Sequence, residues 1–268
     1  MTIPFSAASR CSRYRRRILE ISQQVSALHI APAFSCTEIV DVIYNELMAT
    51  PVARESEDVF IMSKGHGCMI QYVILEERGI LSRADIDAYC KPHGILGAHP
   101  DYGNPGIRAS TGSLGHGLGM LVGQAYAEKL KGTSVNFFGV LSDGELQEGS
   151  TWEAISMAAN LRLDNLLVFV DNNDFTSLDR MSLAQPAFYP VLEKVQAFNW
   201  AAAEVDGHDS QALVTAARSL PSDRPRMVIA KTTKGKGVSF MEGVSIWHYR
   251  SPSPAEFEQA LRELQEGS

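Results

Sequence analysis

The sequence predicts an α/β fold in which a mostly parallel sheet carries helices on both faces. Short runs rich in β-branched and aromatic residues alternate with longer segments of helical periodicity between residues 115 and 232. Such alternation requires crossover connections, which place helices against the faces of a parallel sheet. The predicted strands are 135–141, 165–171, 200–206 and 226–232, and the predicted helices between them are 115–131, 147–162 and 209–219.

Three more helices are predicted from their N-terminal signals. Ser35 with Glu38, and Ser82 with Asp85, match the capping box, in which a hydroxyl and a carboxylate satisfy the first free backbone amides of a helix. Ser253-Pro254 followed by Glu256 is a similar start. These signals predict helices over 36–48, 83–90 and 254–265.

Residues 91–117 contain too many glycines and prolines for regular structure. A loop of this length inside a folded domain usually has a function. Because no low-complexity linker or repeat interrupts the chain, residues 1–268 are expected to form a single domain.

Composition narrows the classes of function. The net charge of −7 argues against a nucleic-acid binder, because that affinity is mostly cationic. No uninterrupted apolar run reaches the roughly 18 residues of a membrane span, so none is expected. The four cysteines are irregularly spaced, which favours reduced thiols and a cytoplasmic location. The basic run at 10–17 has either the composition of a transit peptide or that of a solvated helix face.

Polar side chains follow two predicted neighbouring strands. Asp143-Gly144 ends one strand, and Asp171-Asn172-Asn173 ends the next, with Asn173 30 residues after Asp143. In an open parallel sheet the carboxyl ends of the strands form the ligand crevice. Carboxylate and amide oxygens suit Mg²⁺ or Ca²⁺, and Mg²⁺ commonly completes its sphere with phosphate oxygens. Each segment alone is also compatible with an ordinary tight turn or polar loop.

A glycine-rich segment, GSLGHGLG, occupies residues 112–119. It follows no convincing strand, so it does not match a dinucleotide-binding fingerprint. It is compatible either with a phosphate cradle or with close packing of helices.

Taken together, these segments resemble transketolases. The resemblance includes Asp-Gly with Asn 30 residues later, and it covers nearly the whole chain in transketolase order: SKGHG (63–67), GAHP (97–100), PGIRASTGSLGHGLG (105–119), LDNL (163–166), VDGHD (205–209), KTTKGKGVSFME (231–242) and WH (247–248). It corresponds to the diphosphate-binding, N-terminal half of a transketolase, and so to the N-terminal subunit of a split enzyme. The alternatives are a 2-oxo acid dehydrogenase or deoxyxylulose-phosphate synthase subunit, or a non-catalytic protein that keeps the fold.

The resemblance implies thiamin diphosphate and Mg²⁺, or Ca²⁺, as cofactors. It implies that Asp143, Asn173 and the backbone carbonyl of Phe175 hold the metal, while Gly144 and the backbone of Ser142 lie against the diphosphate. Further residues implied to bind the cofactor are Gly115, His116, Glu148, His66 and Asn173.

Four histidines lie in segments similar to the substrate channel of the family. The resemblance implies that His66, His248, His99 and His29 bond sugar hydroxyls and move protons, for which imidazole has a suitable pKa. It also implies that Glu148 belongs to an acidic network at a subunit interface.

Three positions depart from the pattern of the family. Ser142 replaces a glycine, His116 replaces a glutamine, and Arg180 stands where glycine is typical, in a segment that is one residue longer. None of these changes removes an implied metal ligand.

The implied activity is transfer of a two-carbon ketol unit from a ketose to an aldose. In transketolases a second domain binds the aminopyrimidine of the cofactor. The sequence therefore predicts a separately encoded C-terminal subunit of roughly 300 residues, about two domains. The expected assembly is an α₂β₂ heterotetramer, inactive without the partner, acting on sugars with or without phosphate.

Overall fold

The computed structural model describes residues 6–25, 29–49, 57–177 and 179–266. Within these residues the sheet has five strands in the order β1-β2-β3-β5-β4, and all neighbouring strands are parallel. Helices cover both faces of the sheet, which confirms the predicted fold class. The strands are β1 (Val59–Met62), β2 (Phe137–Ser142), β3 (Leu166–Asn172), β4 (Ala201–Asp206) and β5 (Arg226–Lys231).

Helices occupy most of the remaining described chain. A π-helical turn, Ile43–Leu47, continues directly from α3, and 3₁₀ turns occur at Gly65–Gly67, Gly144–Gln147, Pro186–Phe188 and Ser245–His248. The α-helices are α1 (Ala7–Ser22), α2 (Ile30–Ser35), α3 (Thr37–Val42), α4 (Met69–Glu77), α5 (Arg83–Asp87), α6 (Gly117–Lys131), α7 (Gly149–Asn160), α8 (Met181–Ala184), α9 (Val191–Ala197), α10 (Ser210–Ser219) and α11 (Pro254–Glu266).

Alternate residues of each strand pack into two separate hydrophobic clusters. On β2, Phe138 and Val140 join a cluster that includes residues of α1, α3, α4 and α10. Phe137 and Leu141 join the cluster formed with α6, α7 and α9. Both faces of β2 and β3 are therefore buried, which explains why these strands are continuous apolar runs in the sequence.

The four predicted strands are present, but β1 was not predicted. It is only four residues long and pairs with β2 alone at the edge of the sheet. A run this short cannot be separated from a helix segment by its periodicity.

The predicted capping box at Ser35 and Glu38 is wrong. The Ser35 hydroxyl donates to Asp171 at 2.6 Å, and Glu38 accepts two hydrogen bonds from Arg15. Both side chains are thus bonded to distant partners, a separate helix begins earlier at Ile30, and α3 starts after Cys36 without a side-chain cap. The capping box of Ser82 and Asp85 is confirmed.

The start of α11 follows its prediction as well. The Ser253 amide donates to the Glu256 carboxylate at 2.8 Å, and the Glu256 amide donates back to the Ser253 hydroxyl at 3.4 Å.

The glycine-rich stretch expected to be a loop has neither helix nor strand from residue 91 to residue 116.

The basic run at 10–17 lies in α1. Arg10, Arg15 and Arg17 pair with acidic side chains of α3 and α4, namely Asp41, Glu38 and Glu76. These arginines therefore attach α1 to its neighbouring helices. None of the helices in the described ranges is long and apolar enough to cross a bilayer.

Candidate active site

The carboxyl ends of β2, β3 and β5 lie side by side. Ser142 is in register with Asp171, and Asn172 is in register with Lys231. A cavity of about 140 Å³ opens at this edge. Its lining residues come from seven separate segments: Pro32, Lys64, His66, Leu114, Ser142, Gly144, Gln147, Asn173, Phe175, Thr176, Ser177, Lys234 and His248.

Asp143 lies at the end of β2 and is fully buried. Its two carboxylate oxygens accept from the amides of Gly144, at 2.8 Å, and Asp174, at 2.6 Å. Burial and the neighbouring Asp171 carboxylate raise the pKa of Asp143 to about 7. A bound cation would favour the charged form of this carboxylate.

Asn173 and Phe175 follow β3, the strand next to the one that Gly144 follows. The Asn173 amide donates to Ser35 and to Asp171, at 3.1 Å each, and its oxygen accepts from the Phe175 amide at 3.0 Å. A second lone pair of that oxygen is available to a metal. The Phe175 carbonyl oxygen lies 4.0 Å from the point where a Cβ on Gly144 would stand, and apart from the two residues adjacent to Gly144 no heavy atom is nearer than 3.9 Å.

This donor set fits a hard divalent cation. It consists of a carboxylate, an amide oxygen and a peptide carbonyl, and oxygen ligands of this kind suit Mg²⁺ and Ca²⁺. No group of three or more His, Cys, Asp or Glu side chains in the described ranges could hold a metal. A metal at this place would thus depend on the mixed oxygen donors and on oxygens from a ligand.

A buried ion pair lies beneath these residues. The Lys64 ammonium donates to Asp171 and, at 3.0 Å, to the carbonyl of Pro32 in α2. Burial opposes the charge on both side chains, yet each keeps the other ionised, so the pKa of Lys64 is raised and that of Asp171 lowered. The pair joins α2, β1 and β3 under the cavity.

Lys234 fixes the tautomer of His248. Its ammonium donates to the Thr176 carbonyl at 3.0 Å and to His248 Nδ1 at 2.8 Å. Burial and the Lys234 charge lower the pKa of His248 to about 3, so the ring is neutral near pH 7. A neutral imidazole whose Nδ1 accepts carries its hydrogen on Nε2, which leaves Nε2 as the donor.

The four predicted histidines form one cluster. The centroid of the His29 ring lies 5.8 Å from His66, 5.8 Å from His99 and 5.3 Å from His248. Burial, together with neighbouring cationic groups, lowers the pKa of His29 to about 4 and holds the pKa of His66 well below its usual value. The cluster therefore offers mainly neutral rings to a ligand.

The predicted diphosphate-side residues divide into two groups. Ser142, Gly144, His66 and Asn173 line the cavity. Gly115 is buried next to it with φ of +87°, and a Cβ there would stand 2.7 Å from Glu148 Cβ. Gly65 is equally confined, since its Cβ would stand 2.7 Å from the amide nitrogen of Gly112. The glycines let these backbones approach closely.

His116 and Glu148 lie elsewhere. Both are exposed, and His116 Nδ1 is 3.2 Å from the carbonyl oxygens of Ser113 and Leu114. Neither side chain lines the cavity in the described structure. Their predicted cofactor contacts stay predictions.

The buried glutamate of this region is Glu145. One of its oxygens accepts from the Ser63 hydroxyl at 2.5 Å and from the Gly115 amide at 3.0 Å. Its other oxygen is buried and has no hydrogen-bond partner in the described part of the chain. Burial raises the pKa of Glu145.

Sequence patterns alone did not assign Glu145, Lys64 or Lys234 to the site. Lys64 and Lys234 lie in segments on which the family resemblance rests, SKGHG and KTTKGKGVSFME, and Glu145 directly follows Asp143-Gly144. The available signal was a charged side chain next to a glycine, and for Glu145 and Lys234 also a predicted strand end nearby, although burial itself cannot be read from the sequence.

Comparisons with known proteins identify the family. The family described as "Transketolase, thiamine diphosphate binding domain" matches residues 9–262. An apulose-4-phosphate transketolase subunit from Phocaeicola vulgatus is 35% identical, over 94% of this chain and 91% of that protein. A 6-deoxy-6-sulfo-D-fructose transketolase subunit from a Clostridium species is 30% identical, over 94% and 93%.

Solved transketolase structures share the fold. The transketolase of Leishmania mexicana superposes with a TM-score of 0.86 at 25% identity, over 97% of this chain. The chain spans 41% of the length of that transketolase. The chain belongs to the transketolase family and corresponds to its thiamine diphosphate binding domain.

Proposed function

We propose that the chain binds thiamin diphosphate through a magnesium ion and serves as the N-terminal subunit of a split transketolase. The observation that carries the proposal is the meeting of Asp143, Asn173 and the Phe175 carbonyl at one end of the sheet, beneath a histidine cluster. Calcium ions are an alternative occupant of the same oxygen donors.

The chain's own groups have distinct roles in this proposal. The three oxygen donors hold the metal, which neutralises the diphosphate, while Ser142 and Gly144 line the cavity that receives it. Lys64 and Lys234 add positive charge nearby, and both are buried. The backbone at Gly115 allows the loop to approach this side of the cavity.

The histidines act on the sugar. Bound thiamin diphosphate supplies the carbon nucleophile. His248 presents its Nε2 hydrogen, and neutral His66 and His29 accept or donate hydrogen bonds to sugar hydroxyls as protons move. His99, whose ring lies 5.8 Å from His29, extends this polar surface.

The size of the cavity supports a second subunit. Cavities that enclose a drug-sized ligand are usually roughly 300 to 1,000 Å³, whereas this one is about 140 Å³. A partner that covers the rest of the cofactor would complete the site. Two relatives of similar length carry the word subunit in their names, which supports a separately encoded partner.

We place the partner near Glu148 and the exposed side of α7. Glu148, Glu153 and Met157 are exposed in this chain and would become buried in an assembly. An α₂β₂ arrangement would give two sites between unlike chains. Glu148 would then join the acidic network predicted for it.

The substrates are a ketose donor and an aldose acceptor. The named relatives act on different sugars, one phosphorylated and one sulfonated. The identity of this chain's sugars therefore cannot be taken from its relatives.

All four cysteines are unpaired in the structure, which is compatible with the proposed cytoplasmic location.

Reconstitution tests this function. The purified chain should be silent in ketol transfer and should become active on mixing with a separately encoded subunit of roughly 300 residues, the size of about two domains. Calorimetry with thiamin diphosphate and Mg²⁺ in the presence of the partner should show binding that chelation of the metal abolishes. Robust transfer by this chain, free of any partner by mass spectrometry, would contradict the split-enzyme proposal.

A further inference from the structure

The loop that follows β3 folds back on itself. Phe175 and Arg180 form an isolated antiparallel bridge. The Thr176 amide donates to the Asp179 carbonyl at 2.9 Å, and the Asp179 amide donates to the Thr176 hydroxyl at 3.2 Å. This turn brings the side chain of Arg180 next to Phe175.

The guanidinium of Arg180 lies over the Phe175 ring. Its central carbon is 4.7 Å from the ring centroid, within the distance of about 6 Å at which cation–π attraction operates. The Arg180 carbonyl accepts from the Ala184 amide of α8 at 2.9 Å. Arg180 therefore connects the Phe175 ring to a backbone anchored in a separate helix.

Other contacts also hold this loop in place. The Lys234 ammonium is 5.4 Å from the Phe175 ring centroid and donates to the Thr176 carbonyl. The Asp174 amide donates to Asp143 at 2.6 Å. The Asp174 carboxylate is 3.6 Å from the Arg180 guanidinium. A displacement of the ring would thus move the Phe175 carbonyl relative to Asp143.

We propose that Arg180 is a positioning residue that keeps the Phe175 carbonyl in place for a divalent cation by stacking on the Phe175 ring. The proposal rests on the metal site of the proposed function. A metal site requires ligands held within about 0.5 Å by the groups around them. Arg180 is a cation and half exposed, so it supports the ligand without coordinating.

The test is a Mn²⁺ titration in the presence of thiamin diphosphate, with free Mn²⁺ followed by electron paramagnetic resonance. The three proposed ligands all come from this chain, so the full chain is used without the partner. Arg180→Ala should weaken Mn²⁺ binding roughly two- to fivefold, the worth of an exposed cation–π contact. Arg180→Lys should weaken it less, because it keeps a cation near the ring.

Arg224→Ala is the matched control. Arg224 is also partly exposed and pairs with an acidic neighbour, Asp223. It precedes β5, so it lies at the amino ends of the strands, opposite the carboxyl ends that form the proposed site. This control should bind Mn²⁺ as the wild type does. Loss of a positive charge has opposite effects on the cation and on the diphosphate, so positioning is separated from simple electrostatics by hydrogen exchange measured without either of them.

Amide hydrogen exchange gives a second measurement that needs no metal. Exchange at residues 174–177 and 179–182 should be faster in Arg180→Ala and unchanged in the control. If the wild type binds Mn²⁺ and both Arg180 variants bind it as tightly or more tightly, this inference is wrong. The proposed metal site would not be contradicted by that result. Failure of the wild type to bind Mn²⁺ with thiamin diphosphate, both alone and in the presence of the partner, would overturn both.

Discussion

The two halves of the site differ in how their polar atoms are used. In the metal half, both oxygens of Asp143 and both polar atoms of Asn173 have partners within the protein. In the histidine half, His29 Nδ1 is buried and has no partner among the described residues. We therefore expect the two halves to have different roles. The metal half is preorganised and holds the cofactor, which is constant. The hydrogen bonds of the histidine half are completed by the sugar, which varies.

Lys64 lies beneath both halves, and its removal should have the largest effect. Lys64→Met leaves Asp171 as an unpaired buried charge, which typically costs about 3–5 kcal/mol of unfolding free energy. Urea unfolding measures this loss. The exposed pair of Lys231 with Glu204 is the control, since Lys231→Met should change stability by less than about 1 kcal/mol.

The double variant Lys64→Met/Asp171→Asn sharpens this prediction. Removing both charges should restore part of the stability that the single change loses. If Lys64→Met unfolds at the wild-type urea concentration, the pair does not support the site.

Asp143→Asn should disable the metal half alone. Loss of a charged ligand should weaken metal-dependent cofactor binding by at least the roughly 10- to 100-fold seen when outer-shell partners are removed. Thiamin diphosphate is titrated at fixed Mg²⁺, with the exposed Asp223→Asn as the control. Near wild-type affinity would remove Asp143 from the site.

His248→Ala should damage the histidine half while leaving the metal half intact. We expect kcat/KM of the reconstituted enzyme to fall roughly 10²-fold, the usual range for a positioned acid-base group, with little change in cofactor affinity. His93→Ala, at an exposed histidine outside the cavity, is the control. Unchanged activity would make His248 a structural histidine.

Acid should destabilise the chain partly through the histidine half. The pKa of His29 is about 4 and that of His248 about 3, whereas unfolded histidines titrate near 6.5. The unfolded state therefore binds more protons as the pH falls from 6.5 towards 4, so stability decreases over that window. The double variant His29→Gln/His248→Gln should lose less stability between pH 6.5 and 4 than the wild type does. A parallel loss in both proteins would contradict the neutral-ring assignment.

His116→Gln should have the smallest effect. Its side chain is exposed and hydrogen-bonds within its own loop, so cofactor affinity in the complete assembly should change less than about twofold, the usual limit for surface changes. A larger change would bring His116 into the site when the partner is bound.

The sequence was sufficient for four of the five strands and for placing Asp143 and Asn173 at neighbouring strand ends, because strand spacing and parallel topology determine which ends are neighbours. It was not sufficient for the electrostatics. Lys64 pairs with Asp171, 107 residues away, and this contact depends on packing that no local pattern encodes. The same holds for Glu145, which is buried although Glu148, three residues later, is exposed.

The close backbone approaches at Gly65 and Gly115 have a consequence for engineering new sugar specificity. Any side chain at Gly65 would meet the backbone of Gly112, and any at Gly115 would meet Glu148. Libraries that randomise these loops would mostly contain misfolded variants. Sequence variation should instead be introduced at Leu114 and Gln147. Their side chains line the cavity, and neither position depends on a close backbone approach of this kind.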